Sequence, residues 1–148
     1  WFPRFARLSA HSDNNKSKKL ARLGYTYIIS IIGPVCIILA LLSKTLLAIW
    51  IDIEFAQNTW LITVILLVGI FFNALAHIPL AALQASGKVK ITALIHLGEF
   101  CFYLPLLYYF VPTLGIKGAA LIWTSRTILD FILLFIFNYY MFNDNSKL

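Results

Sequence analysis

Four long apolar runs dominate the chain, separated by short polar turns. The first uncharged run covers 25–42, and its pattern resumes past Lys44 to Trp50. The others cover 60–83, 91–111 and 118–142. A helix needs about 20 mostly apolar residues to cross a bilayer, so each run predicts one transmembrane span. The breaks fall at Asp52 and Glu54, at Ser86–Gly87–Lys88 and at Pro112–Thr113–Leu114–Gly115. Pro34, Pro79 and Pro105 lie inside runs, where neighbouring helices re-satisfy the freed backbone groups. Trp50, Trp60, Tyr108, Tyr109, Tyr139 and Tyr140 gather near run ends, as interfacial aromatic belts do. The expected organisation is an all-α integral membrane protein. Residues 1–24 form the end of a preceding helix and a basic cytoplasmic loop, and 25–148 form the membrane domain. Trp1–Phe2–Pro3 reads as the tail of an earlier hydrophobic segment. The first residue is not methionine and no signal peptide opens the chain, so the expectation is a carboxy-terminal piece of a longer protein.

Composition strengthens the membrane reading. Hydrophobic residues make up 61% and charged residues 12%, against about 45–50% and 25% in soluble domains. Basic residues outnumber acidic ones, 12 to 6, an excess that in a membrane protein concerns topology and anionic lipid headgroups rather than nucleic acid. Six of the cations (Arg4, Arg7, Lys16, Lys18, Lys19, Arg22) precede the first run, Lys88 and Lys90 follow the second, and Lys147 lies in the tail. Only Lys44 and Lys117 fall in the opposite loops. The positive-inside rule therefore places the leading segment, the 84–90 loop and the carboxy terminus in the cytoplasm. The basic segment SAHSDNNKSKKLAR serves as a solvated topology signal or as a lipid or partner site. Cys36 and Cys101 lie in apolar runs without CxxC or Cys/His spacing, so neither a redox pair nor a metal site is expected.

Polar residues at membrane depth carry the functional signal. Asn73 and His77 share a face of the second run, with Gln84 further along it. His96, Glu99 and Tyr103 share a face of the third, and Trp123, Arg126 and Asp130 a face of the fourth. Such stripes are costly in lipid and belong against the bundle interior or a watery cavity. Mid-helix Arg and Asp each cost about 2.5–3.5 kcal/mol to insert, against roughly 0.3–0.6 returned by each large apolar residue. The fourth span is then marginal alone. Arg126 and Asp130 are one helical turn apart, so they neutralise each other or handle substrate or ions. Glu99 is a neutral carboxyl hydrogen-bonded across helices or, with His96, a proton- or ion-coupling site. His77 reads as a hydrogen-bonded core histidine, and Gly115, Gly118, Ala119 and Ala120 as a close helix contact. No HExxH, Gly-rich phosphate loop or GxSxG elbow occurs, so no catalytic constellation and no cofactor are expected.

Three stretches, FPRFARLSAHSDNNKSKKLARLG, NALAHIPLAALQASGKVKITALIHLGEF and LGIKGAALIWTSRTILD, resemble the carboxy-terminal region of Wzx-type O-antigen and polysaccharide flippases of the MOP superfamily. The resemblance spans most of the chain and rests on the joint pattern P-x-x-x-LQA-x-G, H-x-x-E and GI-x-GAA-x-x-W-x-x-R. It implies a two-lobed bundle of about 12 helices working by alternating access, of which this chain forms the last four. It further implies a substrate of undecaprenyl-diphosphate-linked oligosaccharide repeat units, with the missing amino-terminal helices, membrane lipids and polysaccharide polymerase machinery as partners. On that reading Arg126 offers a planar fork to phosphate or an acidic sugar, Asp130 holds the fork, and Glu99 exchanges protons with His96. Asn73 and His77 complete the candidate set. Three other readings stand beside it: a MATE-like drug/cation antiporter, a membrane-embedded glycan enzyme, and an inactive truncated remnant. More acidic residues elsewhere would mark the antiporter, and large periplasmic loops with Arg or His motifs the enzyme.

Overall fold

The computed structural model describes residues 14–144; the expectation for Trp1–Phe2–Pro3 lies outside them. Three long helical elements follow one another: α1 (Asn14–Trp50), α2 (Ile53–Ala85) and α3 (Val89–Asp144). No strand occurs among the described residues. Each helix is long and apolar enough to cross a membrane. Helix α1 is already helical at Asn14, inside the segment expected as a loop. Its 37 residues extend about 55 Å, well beyond the ~30 Å hydrocarbon core. Polar residues 14–22 therefore continue the helix instead of forming an irregular connection; nothing in SDNNKSKKLAR breaks an α-helix.

The breaks between elements have local causes. Asp52 is extended (φ −168°, ψ 173°), and its carboxylate accepts a hydrogen bond from the Phe55 amide at 2.8 Å, capping α2. At the other end, the Gly87 amide donates to Gln84 O at 3.0 Å and the Lys88 amide to Leu83 O at 3.0 Å, turning the chain into α3. Helix α3 runs 56 residues, about 84 Å if straight, but it is not straight. Gly115 sits at φ 59°, ψ −144°, a left-handed backbone position that favours glycine. There the chain doubles back, so that α3 is a hairpin with arms 89–114 and 116–144. Cross-arm pairs show the antiparallel register: Tyr103 meets Arg126, and His96 meets Asp130 further from the turn. Gly118 and Ala120 from the small-residue run are buried beside the turn.

Helix α2 is the centre. On one side Ile78 and Ala82 pack against Leu20, Ala21, Tyr25 and Ile28 of α1. On the other, Ala76 and Leu83 meet Leu134 of the second arm, with Ile95 of the first arm alongside. Thr124 Oγ1 donates to the Ile65 carbonyl across the α2–α3 seam at 2.9 Å. Tyr25 reaches over to Phe131 and Phe135, its ring centroid 6.4 Å from each. Beyond this seam large apolar side chains stay uncovered: Ile49 is 79% exposed, Trp50 83% and Tyr108 86%. Such a surface suits lipid or further helices, not water.

Candidate functional site

The polar stripes converge because α2 lies along the α3 hairpin. Asn73 and His77 on α2, His96 on the first arm, and Arg126 and Asp130 on the second line a single cleft of about 550 Å³. Ala76, Leu80, Ala93, Leu97 and Phe100 complete its walls. Five of the six residues expected from the sequence thus share one space. The sixth, Glu99, lies one turn along from His96 and lines an adjoining cavity with Tyr103 and Arg126. Arg126 borders both spaces.

Within the cleft the pairing differs from the sequence expectation. Arg126 and Asp130, though one turn apart, do not neutralise each other. His96 Nε2 instead meets Asp130 Oδ1 at 3.1 Å, joining the two arms. Asp130 is buried and His96 reaches the opening. The Arg126 guanidinium lies 5.6 Å from the centroid of the Tyr103 ring, a cation–π arrangement. The hairpin is the reason: each charged group on the second arm finds a closer complement on the first arm than on its own helix.

Two groups at this level keep unused hydrogen-bonding capacity. Both carboxylate oxygens of Glu99 and the Nε of Arg126 are buried without a hydrogen-bond partner. A buried polar atom without a hydrogen-bond partner is costly, so this level of the site is poised for a complementary ligand or neighbour. His77 departs from its expected place: it is exposed on the cleft wall, not a core histidine, because the α2 face that carries it meets the cleft instead of another helix. Trp123 leaves the Arg126–Asp130 stripe and packs towards Gly69. Tyr103 was visible in the sequence only as a member of a polar face; the hairpin that sets it under Arg126 depends on Gly115.

Chemically, the cleft offers one cation without an ion-pair partner among the described residues, an amide, an accessible imidazole and a tethered imidazole–carboxylate pair. These groups suit binding of an anionic, hydroxyl-rich molecule. Among the described residues no cluster of His, Cys, Asp and Glu could hold a metal ion.

No family model matches the chain, and no solved structure matches it. It is 45% identical over 130 residues, 88% of its length, to a Shigella flexneri protein named "Putative O-antigen transporter". The chain spans 31% of the length of that relative. Three long apolar helices and similarity to a transporter together make this an all-α, multi-pass membrane protein that resembles a polysaccharide transporter.

Proposed function

We propose that the chain is the carboxy-terminal membrane domain of a flippase. The protein moves undecaprenyl-diphosphate-linked oligosaccharide repeat units from the cytoplasmic to the periplasmic leaflet for surface polysaccharide assembly. The similarity to the Shigella protein carries this reading. The cleft supports it: its unpaired Arg126 suits a diphosphate or acidic sugar, and Asn73, His77 and His96 suit sugar hydroxyls. The transporter is a two-lobed bundle of about 12 helices, a repeat architecture that sets the path between its halves. In this reading the hairpin arms of α3 are two separate crossings. With α1 and α2 they make four spans near 25–42, 60–83, 91–111 and 118–142. The carboxy terminus is cytoplasmic, the protein resides in the inner membrane, and it performs no covalent chemistry.

The test is complementation. The full-length gene is expressed in a strain that lacks its own O-antigen transporter. Restored surface polysaccharide, with disappearance of the accumulated lipid-linked repeat unit, is the expected result. Normal membrane abundance with no restoration in any strain of matching repeat-unit chemistry would overturn the assignment.

A further inference from the structure

The hairpin of α3 carries a second space, an open groove, that the cleft does not explain. It measures about 340 Å³ and lies between the two arms, on the Gly115 side of Arg126. Glu99 and Arg126 stand at the end next to the cleft. From there towards Leu114 the walls are apolar, with Phe102, Leu106, Phe110 and Leu121 on facing arms. The volume and the mostly apolar lining with a few polar groups match a small-molecule site. Arg126 lies about 16 Å along its arm from Gly115, half the thickness of the hydrocarbon core. Hence the lining changes along the hairpin: mixed polar and apolar on the Lys88 side of Arg126, almost wholly apolar on the Gly115 side.

The boundary is furnished for a charged junction. Asp130 is held by His96, so it does not occupy Arg126. Tyr103 supports the guanidinium from its face, and the Arg126 Nε is buried and unpartnered. The Glu99 carboxyl lies buried beside it and lines the same space. A ligand that filled only the cleft would leave the apolar cavity empty. A purely apolar ligand in the cavity would leave Arg126 at its boundary unsatisfied.

The geometry points to one amphiphile seated across both spaces: its hydrocarbon chain in the hairpin cavity, its anionic linker at Arg126 and its hydrated head in the cleft. This assignment rests on the reading of the cleft as a cargo site and adds where the chain of that cargo sits. Apolar contact with Phe102, Leu106, Phe110 and Leu121 then contributes to affinity independently of the polar groups.

The experiment uses the full-length transporter in lipid nanodiscs and two probes: a farnesyl-diphosphate-linked sugar, and the same sugar diphosphate without the chain. Leu121→Trp fills the cavity, and Asn73→Leu removes a polar group from the cleft. Leu121→Trp is expected to weaken the chain-bearing probe about tenfold, equivalent to about 1.4 kcal/mol, and to leave the chainless probe unchanged. Asn73→Leu is expected to weaken both. If Leu121→Trp binds the chain-bearing probe like the parent, the chain site is overturned while the cleft stands. If Asn73→Leu and Arg126→Leu leave both probes unaffected, the cargo reading itself falls. Should Leu121→Trp fail to accumulate, a photoreactive group at the chain end of the farnesyl probe gives the same decision. Labelling of 106–114 or 118–122 that excess phospholipid does not compete away supports the site. Labelling elsewhere, or labelling lost to bulk phospholipid or blocked by a neighbouring helix, overturns it.

Discussion

Gly69→Ala should destabilise the protein by about 1–2 kcal/mol, and the structure gives the reason. Gly69 lies where the second arm of α3 packs directly against α2. A Cβ there would fall 2.4 Å from Trp123 Cζ3 and 2.9 Å from both Trp123 Cε3 and Thr124 Oγ1. Non-bonded carbons settle near 3.5–4.0 Å, so the methyl overlaps the indole by roughly an ångström. Relief requires Trp123 to leave its position or the helices to part. Parting stretches the Thr124–Ile65 hydrogen bond, worth about 0.5–1.5 kcal/mol. Overpacking of this kind costs about 1–3 kcal/mol. The better helix propensity of alanine returns roughly 0.5–1 kcal/mol, which leaves the net loss above. The assay is the thermal midpoint of the detergent-purified full-length protein, with membrane abundance alongside. Gly98→Ala is the control, because nothing lies within 4 Å of a Cβ at Gly98, and it should be neutral or slightly stabilising. Adding Trp123→Leu to Gly69→Ala should restore part of the loss by removing the clashing ring. A Gly69→Ala protein as stable as the parent would refute the close seam and, with it, the placement of Arg126 one turn along from Trp123.

Three further outcomes follow from the same geometry. His96→Leu strands the buried Asp130 carboxylate and should lower stability by about 1.5–3 kcal/mol, the range for hydrogen bonds to charged groups, whereas the double change to Leu at His96 and Asp130 should be close to the parent in abundance; a double variant less stable than the single would contradict the pairing. Single cysteines in whole cells should react with an impermeant thiol reagent near Asp52–Glu54 and Pro112–Lys117 but not near Lys88–Lys90, and the reverse pattern would invert the proposed orientation. Residues 1–148 expressed alone should not restore polysaccharide to a transporter-null strain, because the chain spans 31% of the length of its relative and supplies only part of a two-lobed path; full restoration would remove the need for further helices.

The helices were legible in the sequence because a bilayer demands long apolar runs, and those runs are uninterrupted over 25–42 and 60–83. The polar faces were legible for the same reason: Asn73 with His77, His96 with Glu99, and Arg126 with Asp130 stand out against apolar neighbours at helical spacing. Their partners were not. Helical periodicity compares residues of one helix, so it joined Arg126 to Asp130, while the hairpin joined Asp130 to His96 and Arg126 to Tyr103. That pairing depends on the register of two arms across Gly115, which local pattern does not encode. The helical state of 14–22 was also obscured, because polarity marks where lipid ends and not where a helix ends.

Arg126 carries the central claim, that a cation at the junction of cleft and hairpin cavity engages the anionic part of a lipid-linked cargo. The direct measurement is surface polysaccharide per unit of membrane-inserted transporter in a transporter-null strain, for Arg126→Leu and Arg126→Lys. Asp130 keeps its His96 partner in both variants, so each should insert and accumulate normally. Arg126→Leu should then lose transport, and Arg126→Lys should recover only part of it, since lysine keeps the charge but lacks the planar fork. Normal polysaccharide from Arg126→Leu at normal abundance would contradict the account.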